Sequence, residues 1–288
     1  MIYLFLKGEI FMKRSFDSQI IIPDVRDLDL EQTLDCGQSF RWTKQDDGSF
    51  SGVAFDRYVN ISLDGTDMII KNAVEADREL WFDYFDLALD YGKIREEISQ
   101  IHPVLKEAAK YAPGIRILRQ EPYEALCTFI ISQNNNIKRI KGIVQRLCES
   151  FGDVIEDRVY TFPTAERLVE MTPEDLAPLR AGFRNKYIID SAQKVASGEV
   201  DLELCKTADY EAARAELMKI KGVGVKVADC TLLFGMHRIE AFPIDVWMKR
   251  AMEKLFPGMT GEDFGEYAGI AQQYIFHYSR MHPELFEN

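Results

Sequence analysis

The 288-residue sequence predicts an α+β protein, with an N-terminal antiparallel sheet domain packed on a mainly helical domain. Three observations carry that prediction. From about residue 20 to 73 apolar and polar residues alternate, as at Val59, Ile61 and Leu63, and Asp47-Gly48 and Asp64-Gly65 supply hairpin turns. After Glu75 the apolar period becomes helical and stays so. With 47% hydrophobic and 28% charged residues, the composition is that of a globular protein with a real core, which excludes collagen-like, coiled-coil and low-complexity proteins.

From the N-terminus onward, the opening MIYLFLKGEIF is apolar but interrupted by Lys7 and Glu9. It has no basic leader, long apolar run or small-residue cleavage site, so export is not expected, and Met12 is an alternative start to Met1. Pro113-Gly114 marks the change of period and sets the expected domains at 13–113 and 114–288. Beyond it, Pro122 suits a first helical turn. Ile137, Ile140, Val144, Leu147 and Phe151 form one helical stripe that ends at Gly152. Thr172-Pro173-Glu174-Asp175 reads as a capped helix start, and Gly198 as a stop after residues 186–197.

A net charge of −12 argues at first against a nucleic-acid partner. Distribution qualifies the sum. Residues 134–146 carry Lys138, Arg139, Lys141 and Arg146 and no acid, so a cationic face on an acidic body is expected. The five cysteines, Cys36, Cys127, Cys148, Cys205 and Cys230, are scattered without a C-x-x-C pair, which points to a reducing compartment rather than a disulfide framework or cluster. The four histidines have no metal-ligand spacing, so no catalytic metal is expected.

The sharpest local signal lies at about residues 212–235. An amphipathic segment reaches Gly222-Val223-Gly224, and a second apolar-periodic segment starts at once. Two glycines let the backbone turn tightly, and the free N–H groups of the next helix start form an anion site suited to a DNA phosphate. Glycine spacing alone serves such a helix-hairpin-helix and an ordinary αα-turn equally.

Hairpin, Lys226 and the downstream Pro243-Ile244-Asp245-Val246 together resemble the HhH-GPD superfamily of DNA glycosylases. Four segments narrow the family: Cys36-Gly37-Gln38-Ser39-Phe40-Arg41-Trp42, the run from Ser132 through Asn134-Asn135-Asn136 to Arg139, Gly224 to Cys230, and Tyr267 to Phe276. They are similar to the 8-oxoguanine DNA glycosylase/AP lyase family, in order over about residues 20–280.

The resemblance implies a bifunctional base-excision repair enzyme that acts on double-stranded DNA containing 8-oxoguanine opposite cytosine. Such an enzyme must extrude its target, so it needs phosphate clamps, a wedge and a selective pocket. Lys226 matches the nucleophile that attacks C1′ and forms a Schiff base; the ammonium has no lone pair, so burial or a neighbour must free the amine of its proton. Asp245 matches the superfamily's aspartate, which stabilises positive charge developing at C1′, and also suits a helix N-cap. Gly37 would let a backbone carbonyl approach N7, which bears hydrogen in the lesion and is an acceptor in guanine.

Cys230 and Phe276 match the pair that sandwiches the flipped purine, and Gln272, four residues before Phe276, matches the reader of its Watson–Crick edge. Asn134, within the Asn134-Asn135-Asn136 run, would fill the gap in the stack, while Arg139 and Arg184 would donate to the partner cytosine. Gly222 and Gly224 would face a phosphate. Phe183 and Trp247 depart from the tyrosine and histidine that relatives often carry.

No cofactor is required, and the resemblance allows a structural monovalent cation held through hairpin carbonyls, as in relatives. A monomer without membrane association is expected, in the bacterial cytoplasm or an equivalent DNA-containing compartment. Two competitors remain: a monofunctional glycosylase for other damaged bases, which has no need of Lys226, and a non-catalytic DNA-binding module, which needs neither Lys226 nor Asp245.

Overall fold

Alternating side chains and turn glycines produce the sheet that the sequence predicts. The computed structural model describes residues 3–6, 9–12 and 18–287; Met1, Ile2, Lys7, Gly8, residues 13–17 at the expected start of the first domain, and Asn288 lie outside them. Tyr3–Leu6 (β1) and Glu9–Met12 (β2) pair antiparallel. Gln19–Ile22 (β3), Trp42–Lys44 (β4), Phe50–Ala54 (β5), Arg57–Asp64 (β6) and Asp67–Lys71 (β7) form an antiparallel sheet in the order β3-β7-β6-β5-β4. Asp64 pairs with Asp67 around a two-residue turn in which Gly65 takes φ +61°. Val59 and Ile61 are fully buried on one face of β6.

Helices account for most of the remainder. They are Leu30–Leu34 (α1), Arg78–Tyr84 (α2), Tyr91–Ile98 (α3), Pro103–Tyr111 (α4), Pro122–Ser132 (α5), Ile137–Phe151 (α6), Ala165–Leu168 (α7) and Asn185–Ala196 (α8). Leu202–Thr207 (α9), Tyr210–Met218 (α10), Val225–Met236 (α11), Val246–Leu255 (α12) and Ala268–Met281 (α13) complete the set. A short hairpin, Val154–Glu156 (β8) with Val159–Tyr160 (β9), follows α6. Pro122 opens α5, Gly152 ends α6, and Gly198 at φ +73° follows α8, each where the sequence predicts.

The segment at Thr172 differs. Thr172 and Asp175 bond reciprocally as a cap would, but only a 3-10 helix, Ala177–Leu179, follows. Pro178 has no N–H to donate to a carbonyl four residues back, so an α-helix cannot propagate.

Two hydrophobic clusters form. One joins the sheet to α1, α2 and Leu118; the other joins α5, α6, α8, α11 and α13 and takes in Phe40 together with Tyr91, Ile94, Ile98, Leu105 and Ala108 of α3 and α4. Helices α3 and α4 thus follow the sheet in sequence but pack with the helical core.

Buried polar bonds tie the two clusters. Asp86, after α2, accepts from Arg119 and Tyr91 and pairs with His237 at the end of α11 at 3.0 Å. The Arg116 guanidinium donates to the backbone carbonyls of Arg26, Asp27 and Asp86. Buried donors and acceptors left unmade would each cost about 1–3 kcal/mol, so these bonds fix residues 116–119 and α3 against the sheet domain, and Gln120 N, donating to Phe234 O at 2.9 Å, ties α11 to the same segment.

Candidate active site

Helices α5 and α11 pack against each other and place Lys226, in the first turn of α11, beside the end of α5. Lys226 Nζ donates to Ser132 Oγ at 3.1 Å, and Ser132 Oγ donates its own hydrogen to Phe129 O at 2.8 Å. The hydroxyl therefore acts only as an acceptor toward the amine. Nζ also stands 5.3 Å from the centroid of the Phe129 ring, a cation–π contact at a half-buried site.

Asp245 caps α12: its Oδ1 accepts from Met248 N at 2.8 Å, as its place after Pro243 predicts. Lys226 and Asp245 line one cavity of about 310 Å³ without an ion pair between them, so a substrate atom can enter between amine and carboxylate. Cys230, one turn beyond Lys226, lines the same cavity. Burial pushes its thiol up to about 11, so the sulfur is neutral at physiological pH and offers a soft, uncharged face.

Gly37 and Phe276 line the cavity beside each other. Gly37 has φ +97°, and a Cβ there would lie 3.2 Å from Ile137 Cδ1 and 3.6 Å from Phe276 Cε1. A neighbour fixes this loop. The buried Gln38 amide donates to Thr33 O and Arg116 O, both at 2.8 Å, and accepts from Leu118 N at 2.9 Å. Gln272 lines the cavity from α13; its Nε2 donates to Pro243 O at 3.1 Å, which leaves a buried Oε1 without a partner.

An adjoining groove contains Asn134, Asn135, Gly224 and Trp247 as well as Lys226 and Asp245. Asn134 is exposed at φ +46° in the turn between α5 and α6, and Asn136 caps α6 by accepting from Arg139 N. Trp247 faces both spaces, 6.4 Å from Phe286.

Gly222 takes φ +82°, with a Cβ position only 2.4 Å from the Tyr187 ring, so the hairpin requires glycine there. Gly224 is different. It is extended, at φ −101°, with open space around its Cβ position, so tight turning does not explain it; it is the N-cap of α11, without a side-chain hydrogen bond, beside N–H groups open to the groove.

Phe183, Arg184 and Arg139 stand apart from the cavity. Phe183 is 49% exposed and lies beneath the Arg184 guanidinium at 4.4 Å. Arg139 is exposed, with one long bond to Arg180 O. Arg184 is buried, and its guanidinium donates to the carbonyls of Gln133, Asn134 and Ala181, so in this structure it holds the Asn134 turn from behind.

No sequence pattern marks Ser132 or Gln38 as functional, although both lie within family-like segments; their contacts come from residues remote in sequence. All five cysteines are buried and free. Among the described residues no His/Cys/Asp/Glu cluster could hold a metal, and no helix is long and apolar enough to cross a membrane.

A family model for the N-terminal domain of 8-oxoguanine DNA glycosylase matches residues 20–126, and the model for HhH-GPD superfamily base excision DNA repair proteins matches residues 127–263. The fold is similar to MBOgg1, solved with a low-affinity DNA ligand, with TM-score 0.88 and 43% identity over 98% of this chain and 100% of that one. It is also similar to the 8-oxoguanine glycosylase/lyase of Clostridium acetobutylicum, solved with double-stranded DNA containing cytosine opposite 8-oxoG: TM-score 0.87, 39% identity, 93% of this chain and 97% of that one. The N-glycosylase/DNA lyase of Saccharomyces cerevisiae is 42% identical over 168 residues, which are 53% of this chain and 45% of that protein, so the match spans less than half of that relative.

Proposed function

The protein belongs to the 8-oxoguanine DNA glycosylase/lyase family of the HhH-GPD superfamily, and on that premise we propose that it excises 8-oxoguanine from duplex DNA, preferentially opposite cytosine, and then cleaves the strand by β-elimination. The observation that carries the reading is a single cavity lined by Lys226, Asp245, Cys230, Gln272, Phe276 and Gly37.

The chemistry follows from what each group offers. Lys226 Nζ bonds to C1′ as the C1′–N9 bond breaks, and the base leaves with the bonding pair and takes at N9 one of the two protons of the ammonium so formed. An amine proton passes to the ring oxygen, the sugar opens, and the Schiff base forms. Loss of a C2′ proton then expels the 3′ phosphate. Asp245, fixed by its bond to Met248 N, stabilises the cationic character at C1′. Ser132 holds one amine proton and so orients the lone pair.

Cys230 and Phe276 sandwich the extruded base, the unpartnered Gln272 Oε1 accepts from N1–H or the N2 amine, and the Gly37 carbonyl accepts from N7–H. Asn134 fills the gap with Phe183 as wedge, and exposed Arg139 donates to N3 and O2 of the orphaned cytosine. Arg184 acts by supporting the Asn134 turn. Trp247 and the open N–H groups at Gly224 meet phosphates. A monovalent cation at the hairpin fits the carbonyls of Lys221 and Val223, which accept no hydrogen bond among the described residues; it would bind a phosphate and take no part in the chemistry. The enzyme acts as a monomer in the compartment that holds the DNA.

Incubation of labelled 8-oxoguanine duplex with protein and sodium borohydride tests the mechanism. A covalent adduct is expected from the wild type and none from Lys226→Gln. Base release without an adduct would establish a monofunctional glycosylase, and binding without either a non-catalytic module. Equal turnover opposite all four bases at fixed salt would refute the cytosine preference.

A further inference from the structure

Helix α13 presents more than Gln272 and Phe276 to the cavity. Gln273 and Arg280 also line it. They lie seven positions apart, two helical turns, and so share a face of α13. That face meets the loop that carries Gly37: Arg280 NH1 is 3.5 Å from Cys36 O and 3.6 Å from the Cβ position of Gly37.

The Arg280 guanidinium is half-buried and stands 5.4 Å over the Phe276 ring, the proposed base platform. Among the described residues it has no carboxylate partner, and its one hydrogen bond, to Cys36 O, is long. Gln273 is 2% exposed, and its amide lies against the buried Cys36 thiol, so the amide packs behind the loop rather than opening to the slot. A cation taken partly out of water with one long hydrogen bond is costly in a folded protein unless something else supplies acceptors. Arg280 lines the space where the base would lie.

We infer that Arg280 is a specificity-determining residue that donates to the carbonyl oxygens O6 and O8 flanking N7–H of the extruded 8-oxoguanine. The inference rests on the base-slot reading above and extends it. In its diketo form the lesion shows one donor between two acceptors along this edge, and the protein answers with the Gly37 carbonyl beside the remaining N–H groups of the Arg280 guanidinium. Guanine has no O8, so a donor aimed there favours the lesion.

Arg280→Met keeps the length and the packing on Phe276 but removes every donor; Arg280→Lys keeps the charge without the planar fork. Two duplexes are compared under single turnover: one with 8-oxoguanine opposite cytosine, the other with a preformed abasic site, which has no base to read. Arg280→Met should slow base release about ten- to a hundredfold, the loss expected for a charged hydrogen bond. Strand cleavage at the abasic site should stay within about twofold, since no base contact is at stake there. Arg280→Lys should fall between the two. Parallel losses on both duplexes would assign Arg280 to a phosphate or to folding and overturn the inference, as would no loss on either. A wild-type enzyme that cleaves the abasic site but leaves 8-oxoguanine in place would instead refute the underlying function.

Discussion

Substituting alanine at Gly37 perturbs backbone and cavity together, and the structure sets the size of each effect. At φ +97° an L-residue lies outside its allowed regions, at a cost of about 1–3 kcal/mol. The new methyl group would sit 3.2 Å from Ile137 Cδ1, a side-chain tip that can yield by a few tenths of an ångström, and 3.6 Å from both Arg280 NH1 and Phe276 Cε1. The backbone term therefore dominates stability. In a protein of this size each kcal/mol lowers the melting temperature by roughly 2–4 °C, so a drop of about 3–10 °C is expected by calorimetry. Function should suffer more, because the methyl group enters the slot against Phe276. A displacement near ~1 Å of a bound base costs on the order of a hundredfold in rate, measured as single-turnover release of 8-oxoguanine. A Gly37→Ala protein that melts with the wild type and releases the base at the wild-type rate would refute both the strained turn and the adjacent base slot.

Asp245 separates cap from charge: Asn caps as well as Asp, so Asp245→Asn should melt within about 0.5 kcal/mol of wild type yet lose on the order of a hundredfold in base release, whereas Asp245→Ala should lose a further ~1 kcal/mol of stability. Base release that stays at the wild-type rate in Asp245→Asn would show that the side chain does no more than cap. Burial holds the Glu124 carboxyl up at about 7, against an ordinary 4.5, and outweighs the pull of Arg41. Below the ordinary value the carboxyl is protonated in both states and its contribution is fully present; as pH rises toward about 7 the unfolded state ionises first, and on the order of 3 kcal/mol of stability is lost. Denaturant titrations across that window should show this slope in wild type and a flatter one in Glu124→Gln. Burial also raises the thiols, Cys36 and Cys230 to about 11 and Cys127 and Cys148 to about 12, so Ellman's reagent at pH near ~8 should label the native protein slowly and all five cysteines after denaturation.

The readable parts of the sequence are those in which cause and effect are close along the backbone. Val59 and Ile61 point to one face because strand side chains alternate, and Asp245 caps α12 because its oxygen reaches an N–H three residues on. Where the deciding neighbour is distant, local reading stops short. A near neighbour can also be overlooked: Thr172 and Asp175 form their cap, yet Pro178, close by in sequence, prevents the helix. Gly224 looks like a turn glycine but is extended, while Gly222 is required by the Tyr187 ring from another helix. Arg184 matches a base-contacting arginine, but only the fold shows its donors occupied by the carbonyls of residues 133, 134 and 181.

By itself the sequence determined the two structural halves and the hairpin, and singled out an amine, a carboxylate, a sulfur and a ring as candidates, since periodicity and motif are properties of residue order. The tertiary structure decided which of these share a cavity, that Ser132 accepts from Lys226 and Gln38 fixes the Gly37 loop, and that Arg280 lines the same cavity with a single long hydrogen bond. Such facts depend on burial and on which donors already have partners. Both are set by groups that meet only when remote segments pack, so no local pattern encodes them.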